Sequence, residues 1–200
     1  MATYVKRLVS LFLILILLFI CNVTSFATGS IIDEHQVEDI DTGIRILTNI
    51  NRLPEDTVLL AEETIPITIS VTAEQFKKAG LKPPEDLGTK AAILIVNVKT
   101  AIGYNAADGL NFYVRADGPW NALLKSMSGN VTYKVSGWTR STVPISVSVW
   151  IPQSAINWFY GTGRHPASGK SVSATFFVDV NALNEISGGS ISRTVTAVIP

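Results

Sequence analysis

From Thr64 to the C-terminus, apolar residues recur at every second position, and that alternation more than any other feature limits what this chain can become. Ile65, Ile67, Ile69 and Val71 alternate with Thr64, Pro66, Thr68 and Ser70. The same pattern returns at Leu110, Phe112 and Val114, at Val131, Tyr133 and Val135, and at Ile145, Val147, Val149 and Ile151. Val172, Ala174, Phe176, Val178 and Val180 form the longest row, and a last strand is expected over Ser192 to Ile199. A period of two puts one set of side chains on a buried sheet face and the other in solvent. Ala91 to Val98 is apolar at nearly every position, which predicts a strand covered on both faces.

These rows make about seven strands. Turn chemistry at Asp108-Gly109, Asp117-Gly118-Pro119, Ser128-Gly129 and Ser187-Gly188-Gly189-Ser190 is expected to separate them. The fold class that follows is mainly β, an antiparallel β-sandwich of immunoglobulin-like architecture with one or two short helices. One helix is expected over Ala73 to Leu81, ending at Gly80 and the Pro83-Pro84 stop. Asn121 to Met127 is expected to form a second, and Asn181 to Ile186 a single turn. The sandwich domain is expected to cover residues 62 to 200. Residues 28 to 61 mix seven acids with isolated aliphatics and show no sustained period, so they read as an acidic, extended or partly disordered segment.

Residues 1 to 27 have signal-peptide architecture. Lys6 and Arg7 precede an apolar run from Leu8 to Ile20, and Ser25-Phe26-Ala27 puts small residues at a cleavage site. The run is shorter than the ~20 residues of a membrane span, so no span is expected after cleavage. Cys21, the only cysteine, lies in this leader, and Ile20 is the wrong residue to precede a lipidated cysteine. A mature chain without cysteine points to a bacterial exported protein, secreted or associated with the envelope. The chain carries 16 basic and 16 acidic side chains, a balance that argues against nucleic acid as a partner. Residues 28 to 90 hold 12 acids and 6 bases, and residues 91 to 200 hold 4 acids and 8 bases, so the two parts carry −6 and +4.

The catalytic inventory is thin. Hydrolysis usually needs a base, an orienting group and a nucleophile together. Of the two histidines, His35 lies in the acidic segment, and His165, in the loop Gly161 to Pro166, has only Asp108 and Asp117 as carboxylates in the surrounding stretch. No Gly-x-Ser-x-Gly elbow is present. Glu62 and Glu63, adjacent on a strand, point to opposite faces and cannot share a substrate as a glycosidase pair. Asp39-Ile40-Asp41-Thr42-Gly43 opens like a calcium loop but lacks its later ligands, so no metal and no cofactor is expected.

The aromatic residues carry the functional expectation. By parity Trp150, Phe177 and Tyr113 lie opposite the apolar rows of their strands, on nominally polar faces. Trp158 and Tyr160 follow in a loop with Arg164 and His165. If these faces coincide, they form an aromatic platform for sugar rings or a protein partner. The alternative, preferred because large exposed patches are rare, is that the Ala73 to Leu81 helix covers the face and makes a second core layer. The expected function is therefore a non-enzymatic exported protein that binds at the cell surface or in the extracellular space. Tyr113, Trp150, Trp158, Tyr160, Phe177, Arg164 and His165 are its candidate contacts. Two narrower versions are a carbohydrate- or peptidoglycan-binding module stacking on Trp150 and Trp158, and a self-assembling or membrane-active structural protein. On the glycan version, replacing either tryptophan removes retention and leaves the melting temperature unchanged.

Overall fold

A computed structural model of the chain describes residues 35–39, 44–50, 52–83, 91–119, 124–182 and 187–200. Residues 1 to 27, expected to be a signal peptide, lie outside the described residues. The described chain is mainly β, in two antiparallel sheets. In chain order the strands are β1 (His35–Asp39), β2 (Ile44–Thr48), β3 (Val58–Thr72), β4 (Ala91–Asn105), β5 (Gly109–Asp117), β6 (Leu124–Val135), β7 (Ser141–Gln153), β8 (Ala155–Gly161), β9 (Ser171–Ala182) and β10 (Ser187–Val198). One sheet has the order β1-β2-β8-β5-β4-β3 and the other β10-β9-β6-β7. Apolar side chains from the facing surfaces, among them Ile69, Val96, Phe112, Trp158, Val131, Val147 and Phe176, form one core.

The seven expected rows correspond to β3 to β7, β9 and β10, and three strands come in addition. Two arise within the segment expected to be extended or partly disordered. β2 pairs with β8 and buries Leu47, so the sheet domain begins well upstream of residue 62. The third is β8 itself. Asn157 to Tyr160 is not a loop but an inner strand between β2 and β5.

Several local expectations are corrected by packing. The helix forms as α1 (Ala73–Lys78), where Thr72 and Gln75 make a reciprocal capping box. Leu81 N donates to Phe76 O (2.9 Å) and Gly80 N to Lys77 O (3.0 Å), closing the helix through Gly80 at φ +76°. Its buried Phe76 joins the main core, so α1 does not cover an outer sheet face. Leu124 to Met127 is strand rather than helix, and Asn121 to Leu123 lie outside the described residues. Asn181 and Ala182 finish β9, while 183–186 lie outside. Ser128-Gly129 is no turn but the middle of β6, where Gly129 has φ +137° and a Cβ would strike the Phe177 carbonyl. Gly188 to Ser190 likewise belong to β10, and Gly189 lets that strand approach Ile67 of β3 where the two sheets meet.

The apolar stretch at the start of β4 is covered on one face only. Ile93 and Ile95 are 67% and 52% exposed; they lie beyond the end of β5 at Asp117, and the apolar cover of this face sits over Ala101, Tyr113 and Phe159 instead. The outer face of the same sheet is buried elsewhere. Leu47, Ile50, Ala101, Tyr113 and Phe159 form a second apolar cluster, with Leu53 and Leu59 packed against it. The Asn157 side chain holds this cover in place, accepting from Ile50 N (2.9 Å) and donating to Ile50 O (3.0 Å).

Candidate ligand-binding face of the four-stranded sheet

The inward rows of β6, β7, β9 and β10 are apolar, so their outward rows are set by parity, and the register aligns them. Thr194, Thr175, Thr132 and Thr142 lie side by side across all four strands. Hydroxyl to hydroxyl distances are 2.8 Å for Thr175–Thr194 and 2.9 Å for Thr132–Thr142. The next rows are Ser192, Phe177, Asn130 and Pro144, then Ser190, Asp179, Ser128 and Ser146, then Gly188, Asn181, Ser126 and Ser148. Small hydroxyl and amide side chains thus pave most of a surface four strands wide, interrupted by Phe177, Pro144 and Asp179, and roughly 14 Å across at ~4.8 Å per strand spacing.

At one end of this face lies a cleft of about 490 Å³ lined by Thr132, Lys134, Trp138, Thr139, Arg140, Ser173 and Thr175. The β6–β7 turn builds its wall. Gly137 takes φ +87°, and Trp138 N donates to Val135 O (2.9 Å), which tucks the half-buried indole against the margin of the core. The Arg164 guanidinium lies over the Trp138 ring, 5.7 Å from its centre. No acid lines the cleft, and neither Lys134 nor Arg140 has a carboxylate partner among the described residues.

A second cleft, about 510 Å³, lies on the outer face of the six-stranded sheet and is lined by Leu53, Leu59, Thr64, Asn97, Lys99, Tyr113, Arg115 and Asp117. Its charges are paired with one another or with neighbours. Arg115 Nε meets both Asp117 oxygens at 2.9 and 2.7 Å, and Lys99 Nζ meets Glu62 at 2.7 Å. The Asp117 carboxylate holds the Arg115 guanidinium above its ordinary pKa, against the opposing effect of burial. Burial pushes the Tyr113 phenol up, and Arg115 draws it part of the way back. The charged groups of that cleft already have partners.

The expected contact residues do not form one platform. Trp150 is 87% exposed on the outer face of β7, and Phe177 is 41% exposed on the outer face of β9, both as parity predicts. They are far apart, since Pro144 in Phe177's row is six residues from Trp150, about 20 Å at ~3.4 Å per residue. Tyr113 lies on the other sheet beneath the cover of Ile50 and Leu53, not beneath α1. Trp158, 1% exposed, and Tyr160 face the core, with their rings stacked at 6.0 Å. Burial, with the nearby Tyr133 hydroxyl adding to it, pushes the Tyr160 phenol up to about 12. Arg164 and His165 are exposed. Arg164 backs Trp138, and His165 Nδ1 lies 3.0 Å from the Tyr104 hydroxyl.

Other candidates separate in the same way. Asp108 bonds Arg45 (2.6 Å) and Asn105 (2.7 Å), and Asp117 bonds Arg115, so neither orients His165. Glu62 turns to Lys99 and Glu63 towards Arg193 (3.8 Å), on opposite faces of β3. Ile40 to Gly43 of the calcium-like stretch lie outside the described residues, and no metal-ligating cluster occurs among the described ones. No helix among them is long and apolar enough to cross a membrane. Sequence reasoning missed Lys134, Trp138 and Arg140. Parity alone puts Lys134 on the hydroxyl face, but the fold of the turn before β7 brings Arg140 into the same cleft. In comparison with known proteins the chain matches no family model, no curated protein and no solved structure.

Proposed function

We propose that this chain is an exported, non-enzymatic β-sandwich that binds extracellular or cell-wall glycan through the outer face of its four-stranded sheet. The observation that carries the reading is the hydroxyl-paved face with an indole cleft at one end and a fully presented tryptophan at the other. Trp150 lies eight residues beyond Thr142, about 27 Å at ~3.4 Å per residue. An elongated polymer fits such a face better than a compact small molecule does. Sugar rings offer apolar C–H surfaces to indoles and hydroxyls to Ser, Thr and Asn side chains. A protein partner would favour an apolar centre, and serine is depleted at such interfaces.

The leader from Lys6 to Ala27 supports export. Asp108 and Asp117, the acids a His165-based triad would need, are held by Arg45 and Arg115, which supports a binding rather than a hydrolytic role. The test is depletion of the purified protein from solution by insoluble glycans and isolated cell walls, with Trp138→Ala and Trp150→Ala alongside. Retention on at least one polymer, weakened about tenfold or more in a folded Trp138→Ala variant, is the expected result. No retention on any of them would refute the proposal.

A further inference from the structure

The arginines divide in an informative way. Arg45, Arg52, Arg115 and Arg193 each face a carboxylate, and Arg164 lies over Trp138. Arg140 has neither kind of partner among the described residues, and it shares its cleft with Lys134, which is equally unpaired. The β6–β7 ladder ends at Tyr133 and Ser141, so Lys134 lies just past the last pair and Arg140 in the turn that leads into β7, and both line one cleft. Two like charges drawn into one cleft repel each other. Asp179, the acid on this face, is two rows beyond the threonine row and does not line the cleft. An anion seated between the two side chains would relieve the repulsion, and a guanidinium beside an ammonium suits an oxyanion with two or more oxygens.

We infer that the Trp138 cleft is the subsite for an acidic sugar unit, one bearing a carboxylate or a phosphodiester, within the glycan proposed above. The inference rests on that glycan reading and adds the charge of the ligand. Lys134 and Arg140 take the anionic group. Thr132, Ser173 and Thr175 offer hydroxyls along the floor, and Trp138, backed by Arg164, forms the apolar wall. The two cations at this end, with Asp179 two rows beyond the threonine row, also set the direction in which an acidic polymer lies.

The test compares retention on polygalacturonate, on the same polymer methyl-esterified, on a phosphomannan whose sugars are joined by phosphodiesters, on chitin as a neutral glycan and on polyglutamate as an acid without sugar. Lys134→Gln and Arg140→Gln are used singly and together, and folding of each variant is checked by its melting temperature. Binding to polygalacturonate, to the phosphomannan or to both is expected, and the pattern identifies carboxylate or phosphate as the source. Esterification, or either single substitution, should weaken binding about tenfold, and raised salt should weaken it further. Equal retention on the esterified and free polymers, or a folded double variant that binds like the parent, overturns the inference. So does polyglutamate retained as well as the acidic glycans. Retention on chitin alone leaves the glycan reading standing and sinks the acidic one, whereas no retention on anything sinks both.

Discussion

Replacing Asn157 by alanine tests whether one side-chain amide holds the outer layer over the six-stranded sheet. The amide serves Ile50 as a neighbouring strand would, accepting its N–H at 2.9 Å and donating to its carbonyl at 3.0 Å, in a site where Ile50 and Asn157 are both buried. Alanine leaves two backbone groups without partners. Each costs about 1–3 kcal/mol when buried and unsatisfied, so the expected loss is about 2–6 kcal/mol. With a urea m-value of about 2 kcal/mol/M, the unfolding midpoint should fall by about 1–3 M. Tryptophan fluorescence during urea unfolding measures it, because Trp158 lies in the core directly beside this residue. Asn157→Asp keeps the acceptor and loses the donor, so it should fall between alanine and the parent. A midpoint for alanine within about 0.2 M of the parent would refute the argument and mean that residues 50 to 53 are held by their apolar contacts alone.

Three further outcomes are expected. Gly129→Ala should cost more than about 2 kcal/mol, since the residue holds φ +137° and the Phe177 carbonyl occupies the Cβ position, whereas Gly137→Ala, with open space around it, should cost only the backbone strain of about 1–2 kcal/mol; melting temperatures of the two variants decide this. The Tyr160 phenol, raised to about 12 from an ordinary value near 10, contributes stability that is fully present below about pH 10 and lost as pH rises towards 12; Tyr160→Phe should flatten that decline in urea unfolding measured across the interval. Trp150→Ala should leave stability within about 0.5 kcal/mol of the parent, while Trp158→Ala should cost about 3–5 kcal/mol, so the expectation of an unchanged melting temperature holds for Trp150 and is reversed for Trp158.

The inner rows of the sandwich were legible because alternation reports which side of a strand meets the core, and it assigned Trp150 and Phe177 to the outer face correctly. It could not report what covers the other side. Asn157-Trp158-Phe159-Tyr160 and Ala91 to Val98 are both nearly continuous apolar runs, yet β8 is buried on both faces and β4 exposes Ile93 and Ile95. The difference comes from Ile50 and Leu53, more than a hundred residues before β8, and no local period encodes it. Helix α1 was legible for the opposite reason, since Gly80 and Pro83-Pro84, which end it, lie in its own stretch of chain, whereas its Thr72–Gln75 capping box emerged only in the structure. The Trp138 cleft was hidden because Lys134 is on β6 while Trp138, Thr139 and Arg140 lie in the turn before β7, and their meeting depends on how that turn folds back.

Pro66 in β3, and Pro144 and Pro152 in β7, sit on the strands that end each sheet order, β3 in one and β7 in the other. Proline gives no ladder hydrogen, so these two margins present broken rows to any neighbouring chain. Such a protein is ill suited to zip edge to edge into fibrils at those margins. Whatever it meets there must be engaged through side chains on its flat faces, where a neighbour is chosen by chemistry rather than by the generic adhesiveness of an open strand.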